Sequence, residues 1–421
     1  MTIRSSYSRL IGILRSLSDR VKYSVDSYLM ERRVKALVNK LKQEPRSTQL
    51  TNSTHLGINI YGFMSAGFGL GEAARSTIRG AEAVGLPISL YDIELPTHPV
   101  DHTISLKTSD QRKFGVNLFH FNPDMIATLV NEPVKSGYLS ASYNIAFWFW
   151  ETPQLPRYWV TASELFHEIW VGSTFCASAV RTKISKPVIK IPLNVAPHEA
   201  GSSSGRTELG LPEQGFLFLT MMDFFSRPER KNPFGVIDAF EKAFGSGSTD
   251  TYLIVKVSNS AINPEFGRLK EYSRQNRRII ILDRFLARSE LYSLISNMDC
   301  LVSLHRAEGF GLPIAEAMSF GKPVIATGWS ANMDFMTSEN SFPVNYDMTT
   351  LDSYAPPYSR GTVWANPKIG EAAAIMRKLV NNPELCREVG DKARADINSR
   401  FSAEVTGQRI VERLKEIQRK M

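Results

Sequence analysis

Cysteine is scarce in this 421-residue chain: Cys176, Cys300 and Cys386 are the only three. They are too few and too scattered for a disulfide framework or a zinc site, and a reducing, cytoplasmic setting fits them. No run of about 18 apolar residues occurs, so no membrane-spanning helix is expected. The longest aromatic-rich run, Tyr143 to Trp150, has only the length of a strand. Charges interrupt any hydrophobic stretch near the N-terminus, so no signal peptide is expected. No cluster of His, Cys, Asp and Glu has metal-ligand spacing, and no internal repeat is present. The bulk of the chain also lacks a basic excess. Residues 1–50 hold eleven of the 50 Lys and Arg but four of the 42 Asp and Glu, which leaves 39 against 38 elsewhere. The pI near 9.2 therefore belongs to the N-terminal segment, and nucleic-acid binding by the body is not expected. Apolar residues at 43% and charged residues at 22% suit a globular protein. At roughly 150 residues per domain, two or three domains fit.

Residues 8–42 follow a helical pattern. Leu10, Leu14, Leu17, Val21, Val25 and Tyr28, then Val34, Leu37, Val38 and Leu41, recur at three and four. Arg15, Arg20, Lys22, Arg32, Arg33 and Lys35 fill much of the rest. Such a helix can lie on an anionic membrane surface. It can equally pack on its own protein or on a second subunit, and both readings stay open.

From Gly57 onward strands alternate with helices. Strands are predicted at 57–63, 87–92, 115–121, 143–150, 168–173 and 188–195. A second series is predicted at 216–223, 251–259, 278–283, 299–304, 323–327 and 341–346. That alternation reads as two parallel sheets with helices on both faces. Residues 197–214, rich in Gly, Ser and Pro, read as a linker between them. The first strand runs into Gly67, Gly69 and Gly71, a glycine loop opening a helix, where the backbone can approach an anion. With Asp92 ending the second strand, this partly resembles a dinucleotide fingerprint. The spacing is G-x-G-x-G rather than G-x-G-x-x-G, so that signal is weak.

The chemistry is concentrated between Asp299 and Met336. An apolar run, Leu301 to Leu304, is followed by a turn with Gly309 and Gly311 on either side of Phe310. Pro313 suits the first turn of a helix, where a missing N–H costs nothing. Glu308 precedes the turn and Glu316 lies one turn into the helix, whose side chains lean towards the N-terminus. Both carboxylates can then face the amides of Phe310, Gly311 and Leu312. Such a site can hold a phosphate on the amides and sugar or ribose hydroxyls on the carboxylates. After the first strand of the second series, Arg227, Arg230 and Lys231 precede Asn232 and Pro233. Asn232 can cap the next helix, which leaves the cations beside its positive end.

The stretch EGFGLPIAEAMSFGKPVIAT, with seven residues between Glu308 and Glu316, resembles the E-x7-E signature of retaining GT-B glycosyltransferases. The resemblance is to the large family-4-like, group 1 class that includes bacterial mannosyl- and rhamnosyltransferases. It covers about residues 57–420. It implies an α/β fold of two Rossmann-like domains facing a cleft, with the last helix crossing back to the first domain. The implied division is a basic helical segment at 1–50, an acceptor-side domain at 51–196, the linker at 197–214, a nucleotide-sugar-binding domain at 215–400 and the crossing helix at 401–421.

The implied reaction moves a hexose or deoxyhexose from an NDP-sugar to a hydroxyl of a glycan or lipid-linked glycan, as in surface polysaccharide synthesis. Glu308, Lys231 and Arg230 are its catalytic candidates. Gly67, Gly69, Gly71, Arg227, Lys231, Glu308, Gly309, Phe310, Gly311, Leu312 and Glu316 are the donor-binding candidates, with Glu316 on the ribose. Relatives carry an Arg with four or five residues between it and the Lys; here those positions are Ser226 and Phe225, so Arg227 or Arg230 stands in. Where many relatives have a His at the cleft, this chain has Glu151. His120, at another strand end, joins it as a candidate on the acceptor or sugar side, and His305 stands beside Glu308. Base selectivity is assigned, by position alone, to Arg284 through Arg288. No Asp-x-Asp occurs, so no metal and no cofactor are expected. The setting expected is cytoplasmic, with residues 1–50 on the inner membrane face if they bind lipid. A non-catalytic partner subunit of the same fold, or a retaining glycoside hydrolase using the paired carboxylates, are the alternatives.

Overall fold

The computed structural model describes residues 19–43, 56–95, 98–100, 108, 114–126, 139, 143–195, 204–245, 250–353, 355 and 357–420. Leu10, Leu14 and Leu17 of the expected N-terminal helix, and residues 197–203 of the expected linker, lie outside them. The chain opens with α1 (Asp19–Gln43). The first α/β series follows: β1 (Ile58–Gly62), α2 (Gly69–Ala83), β2 (Ile88–Asp92), β3 (Val116–His120), β4 (Tyr143–Trp148), α3 (Arg157–Ser163), β5 (Glu168–Val171), α4 (Thr174–Arg181) and β6 (Val188–Lys190). The second series starts with β7 (Phe216–Asp223), the short α5 (Pro228–Lys231), α6 (Pro233–Phe244), β8 (Thr251–Ser258), α7 (Glu265–Gln275), β9 (Ile279–Asp283) and α8 (Arg288–Asn297). It continues with β10 (Cys300–Ser303), α9 (Leu312–Ser319), β11 (Val324–Thr327), β12 (Phe342–Val344), β13 (Tyr346–Thr350), β14 (Val363–Pro367), α10 (Ile369–Val380), α11 (Pro383–Arg400) and α12 (Ala403–Gln418).

Both six-stranded sheets are parallel, in the orders β2-β1-β3-β4-β5-β6 and β12-β11-β10-β7-β8-β9. The reason is written in the strands: β11 (VIAT) is buried along its whole length and β10 (CLVS) nearly so, and β1 and β3 are buried throughout even at Asn59 and Asn117. A strand covered on both faces reads as a continuous apolar run rather than an alternating one. In each sheet the strand order reverses once near the middle. In the first sheet this is between β1 and β3, and in the second between β10 and β7. Ligands of such sheets bind beyond the carboxyl ends of the strands at that reversal. The turn leaving β7 carries Arg230 and Lys231, and the loop leaving β10 carries Glu308, so the fold itself brings them together.

The last helix does cross back. α12 lies on α2 so closely that a Cβ on Gly407 would stand 2.0 Å from the Gly80 carbonyl oxygen. Thr406 donates to the Pro192 carbonyl at 3.2 Å, and Arg413 pairs with Glu168. This is the two-domain GT-B arrangement expected from the sequence. Three features differ in detail. Residues 341–346 are not one strand; β12 stops at Val344 and the chain turns into the antiparallel hairpin β13–β14, which the sequence pattern does not predict. Part of the expected linker is packed: Leu209 and Leu211 are buried, and Arg206 binds Asp299 and the Asn297 carbonyl. The later half of α1 docks on α3, with Val34 and Val38 buried and Lys42 against Glu164 at 2.5 Å. Tyr28 and Leu29 stay exposed on the same helix.

Candidate active site

The turn after β7 is built by Asn232. Its backbone lies in the left-handed region, with φ of 55°, and its side chain accepts from the Gly235 amide, ending α5 and capping α6 together. Its amide nitrogen also donates to the Leu304 carbonyl at 2.8 Å, which ties the turn to the end of β10. Lys231 is thereby held against Glu308, and the two form a direct ion pair. Arg230, 5% exposed, donates to the Ala307 carbonyl at 2.8 Å and reaches Glu308 at 3.5 Å and Glu151 at 3.7 Å. Burial alone would raise the Glu308 pKa, but Lys231 and Arg230 outweigh it and hold the carboxyl at about 2. Arg227 is partly buried and begins α5 at its N-cap, outside this ion-paired group.

Gly311 is the N-cap of α9 in the left-handed region, φ of 89°, a conformation glycine adopts without strain. No side chain caps the helix. Among the described residues no backbone carbonyl accepts from the amides of Phe310, Gly311 or Leu312. The loop is pressed against the first domain. Ser173 donates to the Gly309 carbonyl at 2.8 Å, and a Cβ on Gly309 would lie 3.6 Å from Glu151 Cγ. Phe310 packs with Phe335 and Phe401. The cleft is therefore closed over the glycine turn.

The two carboxylates of the E-x7-E stretch have separate cations. Glu308 has Lys231 and Arg230, whereas Glu316 has Arg288. Arg288 also reaches Glu72 of the first domain at 3.1 Å, and Arg75 and Arg79 bind that same Glu72 at 2.9 and 2.7 Å. Burial opposes ionisation of Glu72, yet Arg288, Arg79 and Arg75 together bring it to about 2. Glu316 goes the other way. Burial raises its pKa, Arg288 offsets only part, and the nearby Glu72 charge adds to the rise. Arg288, expected near the base, thus bridges the domains beside the expected ribose site. Glu72, Arg75 and Arg79 carry no sequence motif of their own; a carboxylate in the first turn after a glycine loop is the available signal.

The glycines of the first loop serve different ends. A Cβ on Gly71 would lie 2.3 Å from the Ala66 carbonyl oxygen, so a tight backbone turn requires glycine there. One on Gly67 would meet the Phe285 ring of the second domain at 2.3 Å, and Gly69 faces open space. Asp92 accepts from the amides of Met64 and Ser65 at 2.6 and 3.2 Å, and Arg75 binds the carbonyls of Met64 and Ala66. Asp92 is therefore occupied in fixing this loop. His120, expected at the cleft, is instead fully buried, stacked on Phe147 at 4.7 Å with neither ring nitrogen paired. Burial lowers its pKa to about 3, so it is neutral. His305 is also enclosed, between Ser303 and Asn332, and it braces the loop before Glu308. Tyr358, from the unforeseen hairpin, donates its hydroxyl to Glu151 at 3.2 Å. Among the described residues no group of three His, Cys, Asp or Glu could hold a metal, and no helix is long and apolar enough to cross a membrane.

Residues 207–396 match the family model described as glycosyl transferases group 1. No curated protein matches in the sequence search. Among solved structures, sucrose-phosphate synthase from Thermosynechococcus elongatus aligns with a TM-score of 0.64 at 13% identity, covering 87% of this chain and 100% of that one. Anabaena HepE in complex with UDP-glucose gives 0.57 at 14%, covering 86% and 100%. Staphylococcus aureus TarM, solved as a point mutant with fondaparinux, alpha-GlcNAc-glycerol and UDP, gives 0.53 at 14%. That match covers 71% of this chain, which spans 55% of the TarM chain. At these identities the likeness establishes the fold.

Proposed function

We propose that this protein is a retaining glycosyltransferase that moves a hexose or deoxyhexose from an NDP-sugar to a hydroxyl of a glycan or lipid-linked glycan, in the synthesis of a surface polysaccharide. The observation that carries the reading is the Lys231–Glu308–Arg230 cluster beside the uncapped N-terminus of α9. Cations, helix amides and an ionised carboxylate converge there at the strand-order reversal of the second sheet. The match over residues 207–396 contains every one of these groups, and the HepE and TarM structures were solved with UDP or a UDP-sugar.

In this reading the diphosphate lies on Lys231, Arg230 and the amides of Phe310, Gly311 and Leu312. Those groups meet the negative charge that grows as the bond from the anomeric carbon to the phosphate oxygen breaks. Glu308 is ionised at neutral pH and faces the positive charge developing on the sugar. The acceptor oxygen bonds to the anomeric carbon and passes its proton to the leaving phosphate oxygen. Glu316 exchanges Arg288 for ribose hydroxyls. Under this reading no metal is needed for the diphosphate. A thermal-shift screen of UDP, GDP, dTDP and ADP tests the premise, because a ligand at 100 times its Kd adds about 2.7 kcal/mol of stability. Turnover of the matching sugar nucleotide with a glycan acceptor, followed by the anomeric coupling constant of the product, tests retention. No stabilisation by any of the four diphosphates, or an inverted product, overturns it.

A further inference from the structure

The hairpin β13–β14 is wired into the candidate site from both domains. The Ala365 amide donates to the Arg306 carbonyl at 2.9 Å, and the Arg306 amide donates to the Arg230 carbonyl at 2.7 Å. Arg306 also binds the Glu229 carbonyl at 3.0 Å and packs over the Trp364 ring at 5.7 Å. At the hairpin's far end, Ala355 and Tyr358 exchange backbone hydrogen bonds of 3.1 and 2.8 Å, which fixes the Tyr358 main chain. The Tyr358 ring, 4% exposed, sits 5.6 Å from that of Trp150 in the first domain. Its hydroxyl donates to Glu151 Oε2. Burial and the neighbouring Glu151 charge push the Tyr358 pKa well above the usual 10, so the hydroxyl stays a donor.

Glu151 is the end of a line of charges. Arg230 touches Glu308 on one side and Glu151 on the other. Glu151 is thus the next carboxylate along from Glu308, joined to it through Arg230. A carboxylate offers about four acceptor positions. Tyr358 takes one, Arg230 stands back at 3.7 Å, and the Glu151 side chain keeps 22% of its surface open. The remaining acceptor capacity suits hydroxyl donors. The Tyr358 hydroxyl anchors Glu151 Oε2 from the hairpin side.

We infer that Tyr358 is a positioning residue: its hydroxyl holds the Glu151 carboxylate across the cleft to accept from a hydroxyl of the transferred sugar. The inference rests on the glycosyltransferase reading above. It is tested with Tyr358→Phe, which keeps the ring packing and removes only the hydroxyl. Glu151→Gln is a second variant, which keeps the shape and removes the charge. Calorimetry measures the Kd of the diphosphate selected from UDP, GDP, dTDP and ADP, and of its glucose, mannose and rhamnose conjugates. Melting temperature reports packing.

Tyr358→Phe is expected to leave the diphosphate Kd and the melting temperature unchanged. It is expected to weaken the sugar nucleotide by about 10- to 100-fold, the scale of one hydrogen bond involving a charged group. Glu151→Gln is expected to weaken the sugar nucleotide selectively as well. Unchanged sugar-nucleotide binding in Tyr358→Phe, or equal weakening of diphosphate and sugar nucleotide, overturns the role of Tyr358 while leaving the glycosyltransferase reading intact. Failure of the wild-type protein to bind any of the four diphosphates overturns that reading, and this inference with it.

Discussion

Arg288→Ala isolates the electrostatics of the domain bridge. Glu72 keeps Arg75 and Arg79 after the substitution, whereas Glu316 loses its one ion-pair partner among the described residues. Glu316 is buried, with 4% of its side chain exposed. A buried charge stripped of its partner costs about 3–5 kcal/mol, and taking up a proton is the way out. A free glutamate titrates near 4.5. Keeping Glu316 protonated at pH 7 against that reference costs about 3.4 kcal/mol, at 1.36 kcal/mol per pH unit, but only about 0.7 kcal/mol at pH 5.

The sign follows from the raised folded pKa. The folded variant binds more protons than the unfolded chain, so its stability is highest below pH 4.5. It falls as pH rises towards the folded pKa. The wild-type Glu316 pKa is itself raised and already bears part of this cost, so relative to wild type Arg288→Ala should lose at most about 3 kcal/mol at pH 7 and at most about 1 kcal/mol at pH 5. At about 2–4 °C per kcal/mol for a domain of 150–250 residues, the pH 7 loss is at most roughly 6–12 °C in Tm. The assay is thermal melting of both proteins at the two pH values, repeated with Glu316→Gln added to Arg288→Ala. The double variant should recover most of the loss at pH 7 and show little difference between the two pH values. An equal loss at pH 5 and pH 7, or no recovery on adding Glu316→Gln, refutes the reasoning.

Lys231→Ala and Glu308→Gln should each lower kcat by about 10²- to 10³-fold, the scale of one lost transition-state contact, with circular dichroism unchanged; near-wild-type turnover in both removes the site assignment. Glu72 and Glu308, held at about 2 against 4.5 when free, each contribute about 3 kcal/mol above pH 4.5 that is lost as pH falls towards 2. Acid titration followed by circular dichroism should therefore show a steep loss in that window, less steep in Glu72→Gln. Transfer activity should survive excess EDTA; complete loss restored by Mn²⁺ or Mg²⁺ would contradict a diphosphate held by Lys231, Arg230 and amides alone. Two deletions, of residues 1–18 and of residues 1–43, test the basic N-terminal segment. Deleting 1–43 should cost about 3–6 kcal/mol, because Val34 and Val38 lose their burial. If binding to anionic vesicles survives both deletions, the basic segment is not a membrane anchor.

The sequence by itself determined the alternation of strands and helices, because that information is local. Apolar runs such as those of β10 and β11 mark buried strands. Pro233 and Pro313 mark helix starts, and Asn232 serves as a cap. The glycine turn between Glu308 and Glu316 was legible for the same reason: left-handed backbone and a helix start leave residue-type signatures at fixed spacing. The partners of those carboxylates were not legible. Glu316 answers to Arg288 and Glu72, and Glu151 to Tyr358, 207 residues away. The Arg288–Glu72 and Tyr358–Glu151 contacts arise only when the two sheets close on each other, the Arg288–Glu316 pair only when two helices of the second series pack, and no periodicity records any of them. His120 illustrates the converse: a histidine at a strand end can face the cleft or the interior. Here the packing of Phe147 over its ring left it inside. Local chemistry set which groups the site holds, and domain closure decided which of them are charged, paired and free to meet a substrate.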